Sequence, residues 1–287
     1  MTRIADLLAA GKTYSFEFFP PKNDAELKTL ARTIGELQPL GPSFVSVTYR
    51  GGAESRQRTF DLVSGMLHTT SLNPMAHLIC VAHTRLELAD ILVSLRKAGV
   101  ENLMALGGDP PADPDAGPGE LAYAAELVEL ARAIGGFSIG VAAHPAGHPR
   151  SPSNDSDRDF LAAKLKLADF GVTQFFFEAA EYRQLVADLH DRDVHTPVLP
   201  GILPVTSLST MGRLEAMGAG APTWMQARLR EADEVGGSEA VRKVGVELAT
   251  ELCAELLEGD VPGLHFYTFN TSNATREIYA SLGLGPS

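Results

Sequence analysis

The 287-residue sequence has few of the features that mark secreted, membrane-bound or nucleic-acid-binding chains. Its two cysteines, Cys80 and Cys253, stand far apart and match no zinc-ligand spacing, so we expect reduced, structural thiols in a cytoplasmic protein. No apolar run reaches the length of a membrane span, and the N-terminus lacks the apolar segment and cleavage site of a secretory signal. Lysine and arginine form no run and the net charge is −12, which argues against nucleic acid and anionic membranes as partners.

The chain instead alternates short apolar runs with helical patterns, and 45% of its residues are hydrophobic, enough for a sizeable core. The apolar runs predict eight strands, at 14–19, 43–48, 76–81, 102–107, 137–143, 172–177, 198–203 and 264–269. Capping residues predict a helix from Asn23 or Asp24 to Leu37 and another starting at Thr84. Further helices are expected near 54–68, 119–134, 156–168, 180–191, 207–217 and 272–282, with two extra ones at 222–233 and 238–258.

Eight strands, each followed by a helix, in fewer than 300 residues predict an α/β protein with a (β/α)8 TIM barrel. A doubly wound open sheet is the alternative, but no G-x-G-x-x-G fingerprint follows a strand. No linker divides the chain, so we expect residues 1–287 to form one catalytic domain with extra helices before the last strand and no separate regulatory domain. The glycine- and proline-rich stretch 107–119 is interpreted as a loop near the site.

Barrel enzymes build their sites at the carboxyl ends of the strands, and the first strand carries a carboxylate there. If Tyr14, Phe16 and Phe18 face the helices, strand alternation turns Ser15 and Glu17 into the lumen. Burial raises the pKa of a carboxyl group, which would let Glu17 act as a proton donor near neutral pH. Pairing with a lysine or arginine is the equally weighted alternative.

Other polar side chains gather at the same predicted ends. Asp109 follows two glycines, and Gln174 is an amide in an aromatic strand that needs hydrogen-bond partners. His144 and His148 are separated by proline and do not form a helical metal pair, so no metal site is expected. Lys164 is a candidate phosphate ligand, although a solvated helix face is the more common role of such a lysine.

Several of these segments, in this order, resemble the methylenetetrahydrofolate reductase family over roughly residues 10–283. The resemblance is carried by SFEFFPPK (15–22), FVSVTY (44–49), AHLIC (76–80), LGGDPP (106–111), VAAHPAGHP (141–149), VTQFFFE (172–178), LPGILPVTS (199–207) and HFYTFN (265–270). It implies a TIM barrel that reduces methylenetetrahydrofolate to methyltetrahydrofolate, a reaction of one-carbon metabolism and methionine biosynthesis.

The resemblance also implies roles for individual residues around a folate substrate. Glu17 matches the family's proposed general acid, which protonates N10 so that the bridge opens to an iminium ion at N5. Asp109 matches the aspartate near the pterin that favours this cation, and Gln174 matches the residue that hydrogen-bonds the pterin. Tyr267 helps to frame the substrate, and Leu208 stands where the family often has a phenylalanine. A further residue, Arg276, is a charge-based candidate for the glutamate tail.

The cofactor site departs from the family pattern. The family takes hydride from NADH or NADPH and usually carries FAD, and Thr48, His77 and His148 match positions that touch this flavin. The family usually has an arginine at position 107, a tyrosine in place of His144, and an acidic residue in the stretch that here reads KLKLAD, starting at Lys164. Losing the contact of an arginine with a phosphate costs about 1.5–3 kcal/mol. We therefore expect FAD to be weakly bound or absent, with the nicotinamide in its place.

Three other functions compete with this interpretation. One is an ordinary FAD-dependent reductase of the same family that tolerates the substitutions. Another is a non-catalytic folate-binding barrel, which the presence of both Glu17 and Asp109 disfavours. Proline dehydrogenase, another flavin barrel, is disfavoured by the segment SFEFFPP.

Overall fold

A computed structural model describes residues 1–49, 53–110, 117–216 and 220–285. Its strands are β1 Thr13–Phe18, β2 Phe44–Val47, β3 Pro74–Ile79, β4 Asn102–Leu106, β5 Ser138–Ala143, β6 Phe170–Thr173, β7 Val198–Leu199, β8 Gly201–Ile202 and β9 Gly263–Tyr267. Its helices are α1 Ile4–Ala10, α2 Asp24–Leu37, α3 Ala53–Thr69, α4 Arg85–Lys97, α5 Ala124–Ile134, α6 Asn154–Leu167, α7 Ala179–His190, α8 Leu208–Ala216, α9 Thr223–Glu258 and α10 Asn273–Leu282, with a short 3₁₀ turn at Gln38–Leu40.

All strand pairs are parallel and follow the order β7-β6-β5-β4-β3-β2-β1-β9-β8. Only Pro200 separates β7 from β8, and β7 pairs with β6 while β8 pairs with β9. Proline has no backbone N–H to donate, so the predicted seventh strand is split there and its two halves close the barrel. The carbonyl of Pro200 still accepts a bond of 3.0 Å from the backbone N–H of His265. The TIM barrel is confirmed, and the open-sheet alternative is wrong.

The predicted alternation along β1 is confirmed. Phe16 and Phe18 belong to the main core between the strands and the helices, and the ring of Phe16 lies 5.4 Å from that of Tyr279 in α10. Ser15 and Glu17 point the other way, into the lumen, where they meet polar groups of neighbouring strands. The lumen therefore contains polar groups around β1, which positions the site.

The floor of the lumen is a separate apolar cluster that includes Phe44 and Phe170. Helix α1, which sequence patterning did not reveal, closes this end by inserting Ile4 into the cluster. The first free N–H of α1, at Ile4, donates to the side-chain oxygen of Asn102 at 2.9 Å, and that of Ala5 donates to Ser138 Oγ at 3.0 Å. The N-terminal end of the barrel is thus plugged, and the open end is the carboxyl end of the strands.

Several predicted boundaries shift. The strand predicted at 172–177 lies at 170–173, so Gln174 follows the strand, and the helix predicted from 119 begins at Ala124. The two extra helices are present within α9, which breaks at Gly237, where φ is +61°. Of the predicted loop 107–119, residues 111–116 lie outside the described part, as do 50–52. No helix in the described ranges has the length and apolar character to cross a membrane.

Candidate active site

The carboxylate of Glu17 lies at the centre of a buried polar cluster in the lumen. Ser46 Oγ donates to its Oε2 at 3.4 Å, His77 Nε2 lies 3.5 Å from the same oxygen, and His265 Nε2 lies 3.7 Å away. The other oxygen, Oε1, makes no hydrogen bond within the described residues, and the side chain keeps 10% of its surface exposed. One oxygen is therefore held by the protein and the other is left for a ligand.

The electrostatics of Glu17 differ from the sequence expectation. Burial raises the pKa of this carboxyl, but the two histidines and the Ser46 hydroxyl oppose that effect, so the pKa lies below its ordinary value. The expected net increase in the pKa of Glu17 is therefore wrong for the ligand-free protein. Within the described residues, the charged partners that face Glu17 are the imidazoles of His77 and His265, and no lysine or arginine pairs with it there.

His265 is the functional neighbour that sequence reasoning missed. It is fully buried in β9, and its Nδ1 lies 2.7 Å from Ser15 Oγ while its Nε2 faces Glu17. The ring stacks on Phe44 at 6.0 Å between centroids. The signal was available in the alternation of β9, where His265 and Tyr267 share one face, but only the register of β9 beside β1 shows that this face meets Glu17.

Tyr267 seals the lumen beside this cluster. Its hydroxyl donates to the carbonyl of Thr173 at 2.6 Å, and burial followed by the charge of Glu17 raises its pKa well above the ordinary value, so it stays a neutral donor. The ring occupies space that exists only because residue 201 is glycine. A Cβ on Gly201 would lie 2.6 Å from the Tyr267 ring and 2.3 Å from the Thr173 carbonyl oxygen. Glycine at position 201 therefore lets the closing strand β8 lie directly against the Tyr267 ring.

Gln174 and Leu208 lie beside the same opening. Gln174 directly follows β6, and its amide oxygen accepts from the backbone N–H of Phe175 at 3.2 Å. Leu208 starts α8 and packs, with Phe177 and Tyr267, against an apolar cluster at the carboxyl end of the barrel. This half-buried apolar wall next to an amide and a carboxylate suits a flat ligand that has both apolar and polar edges.

Asp109 and Arg276 are not drawn into the polar cluster. Asp109 is exposed after β4 and makes no hydrogen bond within the described residues, although its charge acts on His148 across the neighbouring loop. Arg276 is exposed near the start of α10, and among the described residues it is bonded only through its backbone N–H, to the carbonyl of Ser272 at 2.9 Å. Both lie at the carboxyl end of the barrel, and their predicted contacts with substrate stay predictions.

Lys164 and the two predicted histidines form a second group, at the end of β5. The rings of His144 and His148 meet edge to face at 4.8 Å, and the ammonium of Lys164 donates to the carbonyl of Ala142 at 2.7 Å. Burial, helped by the charges of His148 and Lys164, lowers the pKa of His144 to about 4, so it is neutral at pH 7. Burial also lowers the pKa of Lys164 to about 8, against the opposing charge of Asp157.

Two predicted cofactor residues carry buried polar atoms that have no hydrogen-bond partner among the described residues. Thr48 Oγ1 and His77 Nε2 have no hydrogen-bond partner in the described structure. Burial is the main cause that lowers the pKa of His77, so its imidazole is neutral and able to accept or donate one bond. Unpaired buried polar atoms cost about 1–3 kcal/mol each, which a ligand with a polar edge would recover.

A (β/α)8 barrel with a buried carboxyl–imidazole cluster at the carboxyl end of its strands has the architecture of a barrel enzyme. Residues 2–283 match the family model for methylenetetrahydrofolate reductase. The chain is similar to 5,10-methylenetetrahydrofolate reductase of Salmonella typhimurium, with 34% identity over 95% of this chain and 91% of the relative. It is 31% identical to methylenetetrahydrofolate reductase (NADH) 1 of Arabidopsis thaliana, over 98% of this chain and 50% of the plant protein. The chain belongs to the methylenetetrahydrofolate reductase family, which makes it an oxidoreductase.

A solved structure gives independent support for the fold. A protein from Clostridium thermocellum, described as binding two copies of 5-methyl-5,6,7,8-tetrahydrofolic acid, superposes with a TM-score of 0.70. The alignment covers 95% of this chain and 96% of that protein at 13% identity, a likeness of fold alone.

Proposed function

We propose that the protein reduces 5,10-methylenetetrahydrofolate to 5-methyltetrahydrofolate with NADH or NADPH as the hydride donor, as one catalytic domain over residues 1–287. The observation that carries the proposal is the placement of Glu17 in the lumen, next to the apolar wall that contains Leu208 and Tyr267. Among the described residues, its carboxylate is hydrogen-bonded through one oxygen only. A pterin ring packs against the wall, and Gln174 hydrogen-bonds its polar edge. Arg276 meets the glutamate tail.

The acid step uses the free oxygen of Glu17. A proton moves from the site to N10, the bond between the bridging carbon and N10 breaks with its electron pair on N10, and an iminium ion remains at N5. Asp109 favours this cation electrostatically, and hydride from the nicotinamide then adds to the iminium carbon. A bound folate also shields Glu17 from solvent, which shifts its pKa upward from the depressed value in the ligand-free protein.

The residues at the cofactor positions do not fit the phosphates of FAD. Gly107 has no side chain, His144 is neutral, and the Lys164 ammonium is already bonded to a backbone carbonyl. We therefore infer that FAD is weakly bound or absent. Nicotinamide takes its place against the unpaired atoms of Thr48 and His77, with His148 and Lys164 at the rim of the same site.

Two measurements test this proposal. The purified protein should oxidise NADH or NADPH only when methylenetetrahydrofolate is present, and deuterium from C4-deuterated donor should appear in the methyl group of the product. Folate binding without turnover would support the non-catalytic barrel instead. The visible spectrum tests the cofactor: a stoichiometric flavin retained through dialysis would refute the flavin-free version and leave the reductase assignment in place.

A further inference from the structure

We propose that Arg150, in the loop between β5 and α6, binds a phosphate group of the nicotinamide dinucleotide. This inference rests on the proposed function, because it concerns how the hydride donor is held in the same site. It goes beyond that function by naming the cation that meets the charged part of the donor.

The residues assigned above to the donor offer little positive charge, although the phosphates of a dinucleotide are negatively charged. Burial lowers the pKa of His77 and, together with the charge of Arg150, that of His148. The ammonium of Lys164 already donates to the carbonyl of Ala142 at 2.7 Å. With a net charge of −12 the protein as a whole repels an anion, so a placed cation has to offset that repulsion.

Arg150 supplies such a cation between the ends of β4 and β5. Its Nη2 donates to the carbonyl oxygen of Gly108 across a long distance of 3.4 Å, and it makes no ion pair among the described residues. A guanidinium has several N–H donors in a fixed fork, so most of them stay available to a ligand. This fork matches two oxygens of a phosphate better than the point charge of a lysine does.

Open space lies next to this guanidinium, at Gly107. A Cβ built on Gly107 meets no atom of the described structure within 4 Å, and its φ lies outside the left-handed region, so neither packing nor backbone conformation requires glycine there. Gly108 differs, because its φ is +88° and a Cβ would lie 2.6 Å from Val81 Cγ1. The end of β4 therefore leaves room for a ligand directly beside the carbonyl that Arg150 reaches.

The loop that carries Arg150 is fixed by a buried ion pair of α6. Arg158 donates to the carbonyl of His144 at 3.0 Å, and its partner Asp157 accepts from the backbone N–H of His148 at 3.1 Å. The backbone N–H of Arg150 donates to Nδ1 of His148 at 3.1 Å. The backbone of Arg150 is thus held in place, so only its side chain has to become ordered when a ligand binds.

The position of Arg150 suits the phosphates rather than the nicotinamide ring. The unpaired atoms of Thr48 and His77 belong to the end of β2 and to β3, and neighbouring strands are about 4.8 Å apart. Because β4 and β5 follow β3 in the sheet, the Arg150 loop lies about 5–10 Å further along the rim. In the dinucleotide, one ribose separates the nicotinamide from the pyrophosphate. A ring held by Thr48 and His77 therefore directs the pyrophosphate towards Arg150.

Binding of ADP-ribose tests this assignment without turnover, because ADP-ribose contains the pyrophosphate but no nicotinamide. Titration calorimetry on the dialysed protein gives the Kd for ADP-ribose and for NADH. In Arg150→Gln both values should rise about tenfold or more, because a charge-assisted contact with phosphate is lost. Arg183→Gln is the matched control, since it removes an exposed guanidinium that pairs with Glu255, and it should bind both ligands like the wild type.

Steady-state kinetics separate phosphate recognition from a general disturbance of the site. Arg150→Gln should raise the KM for NADH about tenfold with little change in kcat or in the KM for methylenetetrahydrofolate. Reduced nicotinamide riboside, a hydride donor without phosphate, should give the same kcat/KM with both proteins. An equal loss of affinity for NADH and NADPH assigns the contact to the pyrophosphate, whereas a loss confined to NADPH assigns it to the 2′-phosphate.

Two results would overturn the inference. One is unchanged affinity of Arg150→Gln for ADP-ribose, NADH and NADPH alike. The other is an equal loss of kcat/KM with reduced nicotinamide riboside, because the variant would then disturb the site rather than a phosphate contact. Failure of the proposed function gives a different result: the wild type would not oxidise NADH or NADPH with methylenetetrahydrofolate, whatever its affinity for ADP-ribose.

Discussion

Lys164 is expected to lower the stability of the protein at neutral pH, so Lys164→Met should be more stable than the wild type. The ammonium lies in the barrel wall with one hydrogen bond, to the carbonyl of Ala142, and burial lowers its pKa from 10.5 to about 8. Methionine has a similar length and no charge to desolvate, so it should fill the same space.

The size and sign of the effect follow from proton linkage. Below pH 8, both the folded and the unfolded chain hold the proton on Lys164. Burying the charged ammonium in the barrel wall then lowers the free energy of unfolding by at most about 3 kcal/mol. This limit follows from the difference between a pKa of 10.5 and one of about 8, at about 1.36 kcal/mol per pH unit. Between pH 8 and 10.5 the unfolded chain binds more protons, so the stability contribution of Lys164 becomes less unfavourable as pH rises. The cost should fall by about 2 kcal/mol between pH 7 and pH 9.5.

Urea unfolding of both proteins at the two pH values gives the comparison. We expect Lys164→Met to be more stable than the wild type at pH 7. The difference in the free energy of unfolding between the two proteins should be smaller at pH 9.5. Lys166→Met, on the exposed side of the same helix α6, is the matched control and should show no such narrowing. A destabilised Lys164→Met, or a difference that is independent of pH, would refute the account of a desolvated ammonium.

Two further predictions concern the wall of the site. Tyr267→Phe leaves the buried carbonyl of Thr173 without its hydrogen-bond donor and should lower the free energy of unfolding by about 1–3 kcal/mol. The KM for folate should also rise. Urea unfolding identical to that of the wild type would contradict this prediction. Gly108→Ala should be destabilising by more than about 1 kcal/mol, because φ is +88° and a Cβ would lie 2.6 Å from Val81 Cγ1. Gly107→Ala, where a Cβ meets nothing within 4 Å, is its control and should unfold like the wild type.

Much of the fold follows from local patterns in the sequence. Alternation along β1 placed Glu17 in the lumen, and the cap at Thr84 marked the start of α4, where a full capping box forms with Glu87. The patterns failed where tertiary contacts decide. The aromatic run after Thr173 has strand propensity, yet β6 ends there, because its pairing with β5 ends at Ala143 and its pairing with β7 ends at Leu199. Helix α1 is too short to show a periodicity and is held by contacts to distant strands.

The direction of the pKa shift of Glu17 could not be predicted from the sequence. Burial of Glu17 was correctly anticipated, but the sign of its pKa shift depends on His265, which is 248 positions away in the chain and is brought alongside by strand pairing. A sequence pattern states which residues share a face of a strand. It does not state which face of another strand lies opposite, and the groups on that opposite face determine the charge state of Glu17.

The most direct test of the central claim is folate-dependent oxidation of NADH by Glu17→Gln, measured beside the wild type. Glutamine keeps the size of the side chain but has no proton to give to N10. We expect kcat to fall by about 10²–10⁴-fold, the usual contribution of a general acid, with binding of 5-methyltetrahydrofolate retained. Equal rates in the two proteins would contradict the assignment of Glu17 as the acid.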